Sequence, residues 1–330
     1  MNITVAILYG GASREHDVSV KGYEYVKELL ADTGYTLLPI YIDRSGEWTV
    51  KKDGKEFLAH PMPNSRGFLY TEYGFIKIDA AIPLLHGDGG EDGSVQGALE
   101  CCGIKYVGAR VAESAVCLDK FYTKCVAASL GIPTVDHAVF SGQTDKDVAL
   151  GICKAKLGFP VFIKPRRLGS SVGAFPAYGE EDFLDKFPRS MELGDNLVIV
   201  ERLIENKREL ECAFAEIDGQ ITVTPPAEVL INGFYGYSEK YGGTTPTDAE
   251  ASIDEKTKAT VIDYSKRLAD ALGLRHLGRI DFFLAEDGIF FNEVNTFPGF
   301  TGESLYPKML TRHGISPRRA LLSFIEDAIK

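Results

Sequence analysis

A chain of 330 residues is longer than one hydrophobic core usually organises, so length alone argues for two or three packed subdomains. With 45% apolar and 25% charged residues it has core-forming material throughout, which excludes disordered and fibrous classes. A formal charge of −11 repels phosphate backbones and argues against a nucleic-acid partner, although a small anion can bind where lysines and arginines cluster. The six cysteines contain no C-x-x-C pair and read as reduced thiols in apolar surroundings, neither a disulfide framework nor a zinc set. There is no basic leader and no apolar run near about 20 residues, so a cytoplasmic protein with no membrane partner is expected.

In the first third, strand-like runs alternate with helical periods: Ile3–Gly10, a helix after Asp17, Thr36–Asp43, an irregular stretch, then Ile78–Gly87. This alternation is the signature of an open α/β sheet. From residue 111 a helical stripe of Val111, Ala115, Leu118, Tyr122 and Cys125 runs until Gly131 and Pro133 stop it. The second unit holds a helix near 145–157, the buried-type strand Phe159–Pro165, a Gly/Ser loop at 169–173 and the strand Leu197–Ile204. The third opens with two runs paired around an Asp218-Gly219 turn. Residues 231–251 lack periodicity and read as a lid. A helix bearing Val261, Tyr264, Leu268 and Leu272 follows, then a hairpin at 278–294 and a last helix with Ser316 as N-cap and Pro317 at N1.

The hairpin carries the most chemistry. Strand period 2 puts Arg279, Asp281 and Phe283 on one face of its first strand, and Phe291, Glu293 and Asn295 on one face of its second. Oxygen donors of this kind suit a hard cation bridging protein and nucleotide phosphates, and spacing alone equally fits a solvated polar face with an Arg-Asp pair. The expected register has a three-residue loop, Glu286–Gly288, with Ala285 opposite Ile289 and Asp281 opposite Glu293. A second cluster, Lys164 followed by Gly169-Ser170-Ser171-Val172-Gly173, offers backbone N–H groups and a cation to phosphate oxygens without being a Walker A loop. The same loop formally matches a nucleophile elbow, and His86–Gly90 is like an esterase oxyanion loop. Pro176 and Gly179, however, stand where an elbow's helix would begin, which disfavours a serine hydrolase. On their own, Glu15 reads as an exposed acid near a helix start and Lys120 as a solvated surface lysine.

Taken in order, Gly10–Ser19, Leu85–Gly93, Leu118–Lys120, Ile163–Pro165 with Gly169–Gly173, Glu239–Tyr241, Gly278–Asp281 and Asn292–Gly299 resemble the D-alanine:D-alanine ligases of the ATP-grasp superfamily. The resemblance spans nearly the whole chain. It implies an α/β ATP-grasp fold: an N-terminal open parallel α/β domain for substrate (1–119), a central subdomain (120–205) and a C-terminal subdomain carrying the metal site (206–330). It implies that Lys120 and Lys164 hold ATP phosphates, that Glu201, Arg202 and Leu203 line the adenine, and that Glu209 binds the ribose. Ser170, Ser171 and Lys240 would touch the phosphates or close over them, and Asp281, Glu293 and Asn295 would hold two Mg²⁺ ions, replaceable by Mn²⁺. Glu15, with Ser170 and Tyr241, would receive the ammonium of the first D-alanine and His86 its carboxylate. Arg279 would stabilise the transferring oxygens, and Ser304 and Leu305 would meet the carboxylate of the second amino acid.

The activity so implied is ATP-dependent joining of two D-alanines through an acyl phosphate for peptidoglycan precursors, by a homodimer. D-serine or another small D-amino acid is the alternative acceptor. A nucleotide-binding regulator with a degenerate site is disfavoured, because every metal and phosphate ligand is present. Three positions depart from the family pattern: Leu168, the lid after Tyr241, and Glu303. Near the second substrate's carboxylate, Glu303 would favour D-alanine or D-serine over D-lactate and bias the choice between the first two.

Overall fold

The computed structural model describes residues 3–52, 54–230 and 246–330. The first sheet is built from β1 (Thr4–Gly10), β2 (Thr36–Ile42), β3 (Trp48–Lys52), β4 (Lys55–Pro61), β5 (Phe68–Thr71), β6 (Gly74–Lys77) and β7 (Ala80–Pro83), in the order β6-β5-β4-β3-β2-β1-β7. Val5, Ala6, Ile7 and Leu8 are wholly buried, as a central strand covered on both faces requires, and β1 pairs in parallel with β2 and β7. The stretch expected to be irregular is the antiparallel meander β3 to β6, so the sheet is mixed rather than all parallel. Those strands are short and half-exposed, and the β3–β4 pair is rich in Lys and Glu. Val50, Ala59 and Leu69 bury an inner face, but each strand supplies only one such residue between polar neighbours, which is why periodicity misses them.

Three helices follow or flank this sheet: α1 (His16–Leu29), α2 (Ser94–Cys101) and α3 (Val111–Leu118), with α4 (Lys120–Ser129) directly after the third. The single stripe expected from 111 to 125 is broken at Asp119, which starts α4 by accepting the N–H of Phe121 at 3.1 Å and of Tyr122 at 3.4 Å. The break rotates the buried face. Ser114, Cys117, Thr123, Lys124 and Ala127 point inward, while Ala115, Tyr122 and Cys125 are exposed. Cys101 is exposed as well, the other four cysteines are buried, and no disulfide forms among the described residues.

The second sheet contains β8 (His137–Ser141), β9 (Val161–Pro165), β10 (Phe175–Ala177) and β11 (Leu197–Arg202), ordered β10-β9-β11-β8 and antiparallel throughout. One face is covered by α5 (Lys146–Lys156) and α6 (Glu180–Leu193), through Phe140, Ile163, Phe183, Phe187 and Val198.

The third sheet comprises β12 (Arg208–Ile217), β13 (Gln220–Val223), β14 (Ala227–Val229), β15 (Thr247–Asp248), β16 (Leu277–Ala285) and β17 (Gly288–Asn295). Its order is β15-β14-β12-β16-β17, with β13 on the far half of β12. The Asp218-Gly219 turn forms as expected, both residues having positive φ (53° and 75°), and Ile217 pairs with Gln220. One face buries Leu210, Cys212, Phe214, Ile280, Phe282, Phe291 and Val294 under α4 and α7 (Glu255–Ala271). The last helices, α8 (Leu305–Arg312) and α9 (Pro317–Ile329), fill the space between the first sheet and β12. There Leu321, Phe324 and Ile325 share a core with Val5, Ile7, Ala213 and Ala215. Ser316 caps α9 as expected, accepting from Arg319 N at 3.2 Å. Of the expected lid, residues 231–245 lie outside the described ones, and Thr247–Asp248 pair with β14. No helix among the described residues is long and apolar enough to cross a membrane.

Candidate active site

The face of the third sheet opposite its core is a platform of polar side chains. Cross-strand register sets Glu211 beside Asp281 and Asp281 beside Glu293, three carboxylates in a row over three strands. The next row is Ala213, Arg279 and Asn295. Alternation sends Cys212, Ile280 and Val294 between them to the core. The expected pairing of Asp281 with Glu293 is present, but by another route. The hairpin loop is two residues, with Ala285 opposite Gly288, and the extra residue sits at Asn292, where the register shifts between Asp281 and Phe282. Upstream of this bulge the facing reverses, so Phe291 does not share the face of Glu293. It is fully buried, edge-on to Phe282 with ring centroids 6.1 Å apart. Asn292 joins the polar face instead.

Arg279 lies within this row. Its Nε and a terminal nitrogen donate to the two oxygens of Asp281, each at 2.8 Å, and Nε is 3.0 Å from Glu211. Burial works against its charge, yet these carboxylates outweigh it and hold the guanidinium well above its ordinary pKa. Asn295 Nδ2 donates to Asp281 at 3.1 Å. Two carboxylates and a carboxamide on neighbouring strands form a hard oxygen donor set, which fits a divalent cation.

The facing wall comes from α4 and the second sheet. Lys120, expected on its own to be a solvated lysine, is 7% exposed. Its Nζ lies 2.7 Å from the Leu168 carbonyl and 3.4 Å from Glu293. It is placed there by Asp119, whose buried carboxylate also takes Arg166 at 2.7 and 3.0 Å and Arg167 at 2.9 Å. Lys164, at the end of β9, is 2.9 Å from Glu201 and 3.2 Å from Asn292 Oδ1. The other oxygen of Glu201 is 2.9 Å from Lys124, a fully buried residue that sequence reasoning passed over. Burial alone would raise the Glu201 carboxyl, but Lys124 and Lys164 overcome it and hold it down to about 2.

Ser170 and Ser171 both have left-handed φ (53° and 57°), and the N–H of Val172 bonds back to Gly169 at 3.1 Å, a type I′ turn. The chain then enters β10, not a helix, so a nucleophile elbow is absent here. Glu15 and His86 come from the loops after β1 and β7, adjacent parallel strands, so both lie at the carboxyl end of the sheet, where α/β sheets take ligands. The last residue of β1 must be glycine, because a Cβ on Gly10 would lie 2.2 Å from the Ile42 carbonyl. Likewise a Cβ on Gly87 (φ +67°) would stand 3.0 Å from Glu15 Oε2, so that glycine gives the carboxylate its space. His86 is buried, with Nδ1 3.1 Å from the Phe297 carbonyl and Nε2 without a hydrogen-bond partner among the described residues. Burial pulls its pKa down and the Glu15 charge opposes this. Nearby, Glu91 accepts the N–H of Gly87 at 2.8 Å and of Phe297 at 3.2 Å. Ser304 precedes α8, bonded to the Thr301 hydroxyl at 2.8 Å.

These groups line two adjoining cavities. The first gathers Lys164, Ser171, Glu201, Arg202, Leu203 and Glu209 around one opening, with Phe162, Ile204, Lys207 and Phe283 as further walls. The Leu203 N–H is already committed to the Pro160 carbonyl at 3.0 Å. The second cavity, about 690 Å³, gathers Glu15, His86, Asn295, Ser304 and Leu305, together with Glu91 and Glu303. Lys120, Ser170, Glu211, Arg279 and Glu293 line both. Asp281 belongs to the first. Lys240 and Tyr241 lie outside the described residues. Sequence reasoning did not single out Lys124, Glu211, Asn292 or Glu91. Alternation along Arg208–Ile217 already aligns Glu209 with Glu211, a signal that could have found the latter, whereas the Asn292 bulge leaves no mark in the sequence.

Models of the D-ala D-ala ligase N-terminus and C-terminus match residues 4–109 and 126–326. The chain belongs to the D-alanine–D-alanine ligase family. It is 34% identical to the D-alanine–D-alanine ligase of Mycolicibacterium vanbaalenii, over 99% of this chain and 97% of that protein. It is 35% identical to the enzyme of the same name from Corynebacterium diphtheriae, over 99% and 95%. Among solved structures it resembles D-alanyl-alanine synthetase A from Vibrio cholerae (TM-score 0.89, 31% identity, 99% and 98% covered). It is also similar to the VanG D-Ala:D-Ser ligase from Enterococcus faecalis (TM-score 0.90, 32% identity, 99% and 100% covered). The fold class is that of these ligases, α/β ATP-grasp.

Proposed function

We propose that this chain is an ATP-dependent ligase that joins two D-alanines through an acyl phosphate. The observation that carries this reading is the wall common to both cavities: Lys120, Ser170, Glu211, Arg279 and Glu293 stand where a nucleotide on one side and an amino acid on the other would meet. In this reading Lys120, Lys164, Ser170, Ser171 and Lys240 face the ATP phosphates. Glu201, Arg202 and Leu203 border the adenine, and Glu209 takes a ribose hydroxyl. Glu15 receives the ammonium of the first D-alanine, assisted by Ser170 and Tyr241, and His86 meets its carboxylate. That carboxylate attacks the γ-phosphorus as ADP leaves, and Arg279 steadies the oxygens between which the phosphoryl group passes. Ser304 and the N-terminus of α8 at Leu305 hold the carboxylate of the second amino acid. Its deprotonated amine attacks the acyl carbon, and phosphate departs from the tetrahedral oxyanion.

Asp281, Glu293 and Asn295 would hold two Mg²⁺ ions, or Mn²⁺, which offset phosphate charge when bound. We read the chain as three working units, 1–119, 120–205 and 206–330. Each of the three sheets falls inside one of them, although α4 packs on the third sheet. A cytoplasmic homodimer serving peptidoglycan precursor synthesis completes the reading, supported by the family and by the free cysteines. D-serine is the second acceptor to weigh, because VanG is as similar in structure as the D-alanine enzyme. ADP release measured with and without D-alanine, followed by product analysis with D-alanine and D-serine supplied together, tests both. ADP release that ignores D-alanine would remove the ligase reading.

A further inference from the structure

We infer that Lys124 is a positioning residue that frees Lys164 to engage the nucleotide. The inference rests on the placement of ATP in the first cavity. Glu201 lies between two lysines, 2.9 Å from each, but the lysines are not equivalent. Lys164 lines the first cavity; Lys124 does not, is fully buried, and points from α4 to Glu201 and, at 3.4 Å, to the Phe291 carbonyl. One carboxylate charge is therefore shared by a lysine that faces a ligand space and a lysine that does not.

Consider what happens when phosphate oxygens attract Lys164. With Lys164 as its only cation, Glu201 would be left as an unpaired buried anion, and the pair would resist opening. Lys124 is the constant partner that keeps Glu201 paired, so Lys164 can turn toward phosphate without stranding it. The arrangement also ties α4, which packs on the third sheet, to β11 of the second sheet beneath the nucleotide cavity. It is a division of labour between two lysines on one acid.

The test is MgADP binding by calorimetry, with wild-type binding required by the placement of ATP. If wild-type protein binds no MgADP, that placement fails first, separately from the role of Lys124. With binding established, Lys124→Met is expected to weaken MgADP by about tenfold or more, while Lys124→Arg stays close to wild type. In turnover, the KM for ATP rises and the KM for D-alanine does not. The deciding comparison is made in a Glu201→Gln background, where the carboxamide oxygen accepts from one lysine, its NH2 faces the other, and no buried anion remains to be stranded. There Lys124→Met should change MgADP affinity by less than about twofold. This comparison stands even if Lys124→Met alone fails to fold. An equal loss in both backgrounds makes Lys124 a packing residue and overturns the inference, as does unchanged MgADP affinity in the folded single variant.

Discussion

Glu91 gives a stability prediction with a definite sign. Half-buried on the loop that carries His86, it loses solvation there, and this, with the charge of Glu15 added, pushes its carboxyl up to about 7 from 4.5 despite the two N–H donors from Gly87 and Phe297. Because the folded-state value lies above the unfolded one, the folded protein holds this proton between about pH 4.5 and 7 while the unfolded chain has released it. The linked stability is fully present below the unfolded pKa and is lost as pH rises through about 7. The size follows from the shift: about 3 kcal/mol in all, with a slope approaching about 1.4 kcal/mol per pH unit near pH 6. Glu91→Gln removes the titration. The carboxamide satisfies one N–H and sets its own NH2 against the other, a cost of about 1–3 kcal/mol that does not vary with pH. Urea unfolding of wild type and variant from pH 5 to pH 8 isolates the effect in their difference, which should fall by about 2–3 kcal/mol in favour of the variant over that range. A difference that stays flat, or that grows in favour of wild type, would refute the placement of Glu91 as a desolvated, proton-holding acid.

Three further outcomes are expected. Asp119→Ala removes the cap of α4, worth about 1 kcal/mol, and leaves the buried Arg166 guanidinium without its partner, about 3–5 kcal/mol more, so the urea midpoint drops and the KM for ATP rises as Lys120 loses its anchor; an unchanged midpoint contradicts this. Ser171→Ala weakens ATP use without abolishing it, and reagents for nucleophilic serines leave the protein unlabelled; stoichiometric labelling at Ser171 would bring back the hydrolase. Glu303→His changes the ratio of D-alanine to D-serine product by less than about twofold, because the Glu303 side chain is 96% exposed and already 3.3 Å from Lys308, so solvent and that lysine screen it. A larger change would restore the influence that its charge alone suggests.

Much of the site could be read from residue order, because strand alternation is a strict rule and the chemistry sits on strands. Arg279 and Asp281 fall on one face for that reason, and so does Lys164 at the end of β9. What escaped has a physical cause in each case. A bulge adds one residue without a sequence mark, so the reading put the irregularity at Gly288, the nearest residue with conformational freedom, when it lies at Asn292. The break between α3 and α4 comes from Asp119, whose partners Arg166 and Arg167 lie 47 and 48 positions away. No local pattern contains them. Lys124 defeats residue-type reasoning altogether, since lysines are almost never fully buried unless paired and the pairing with Glu201 is tertiary. The meander β3 to β6 was lost because each strand gives the core only one or two residues, Val50, Ala59 and Leu69, between polar neighbours, too few for a period to register.

The acidity of the chain and a polyanionic substrate are reconciled by how the cations are held. Along the wall of the first cavity each one has a carboxylate beside it: Lys120 with Glu293 at 3.4 Å, Lys164 with Glu201 at 2.9 Å, Arg202 with Asp287 at 2.9 Å, Lys207 with Glu209 at 3.3 Å, and Arg279 with Asp281 and Glu211. Such a wall presents little net field, so a negative surface does not have to be overcome by a positive patch. It offers exchange instead. In the proposed reading the cations turn to phosphate oxygens while Asp281 and Glu293 turn to the divalent ions that would accompany a nucleotide. Each buried charge then leaves one partner only as it gains another, which avoids the several kcal/mol that an isolated buried ion costs. One acid in this set is placed to stay behind, Glu201 on the fully buried Lys124. It stays paired while its neighbours change hands. A cavity that discriminates by this exchange favours a ligand bringing anion and cation together, which is what a metal-bound nucleotide is.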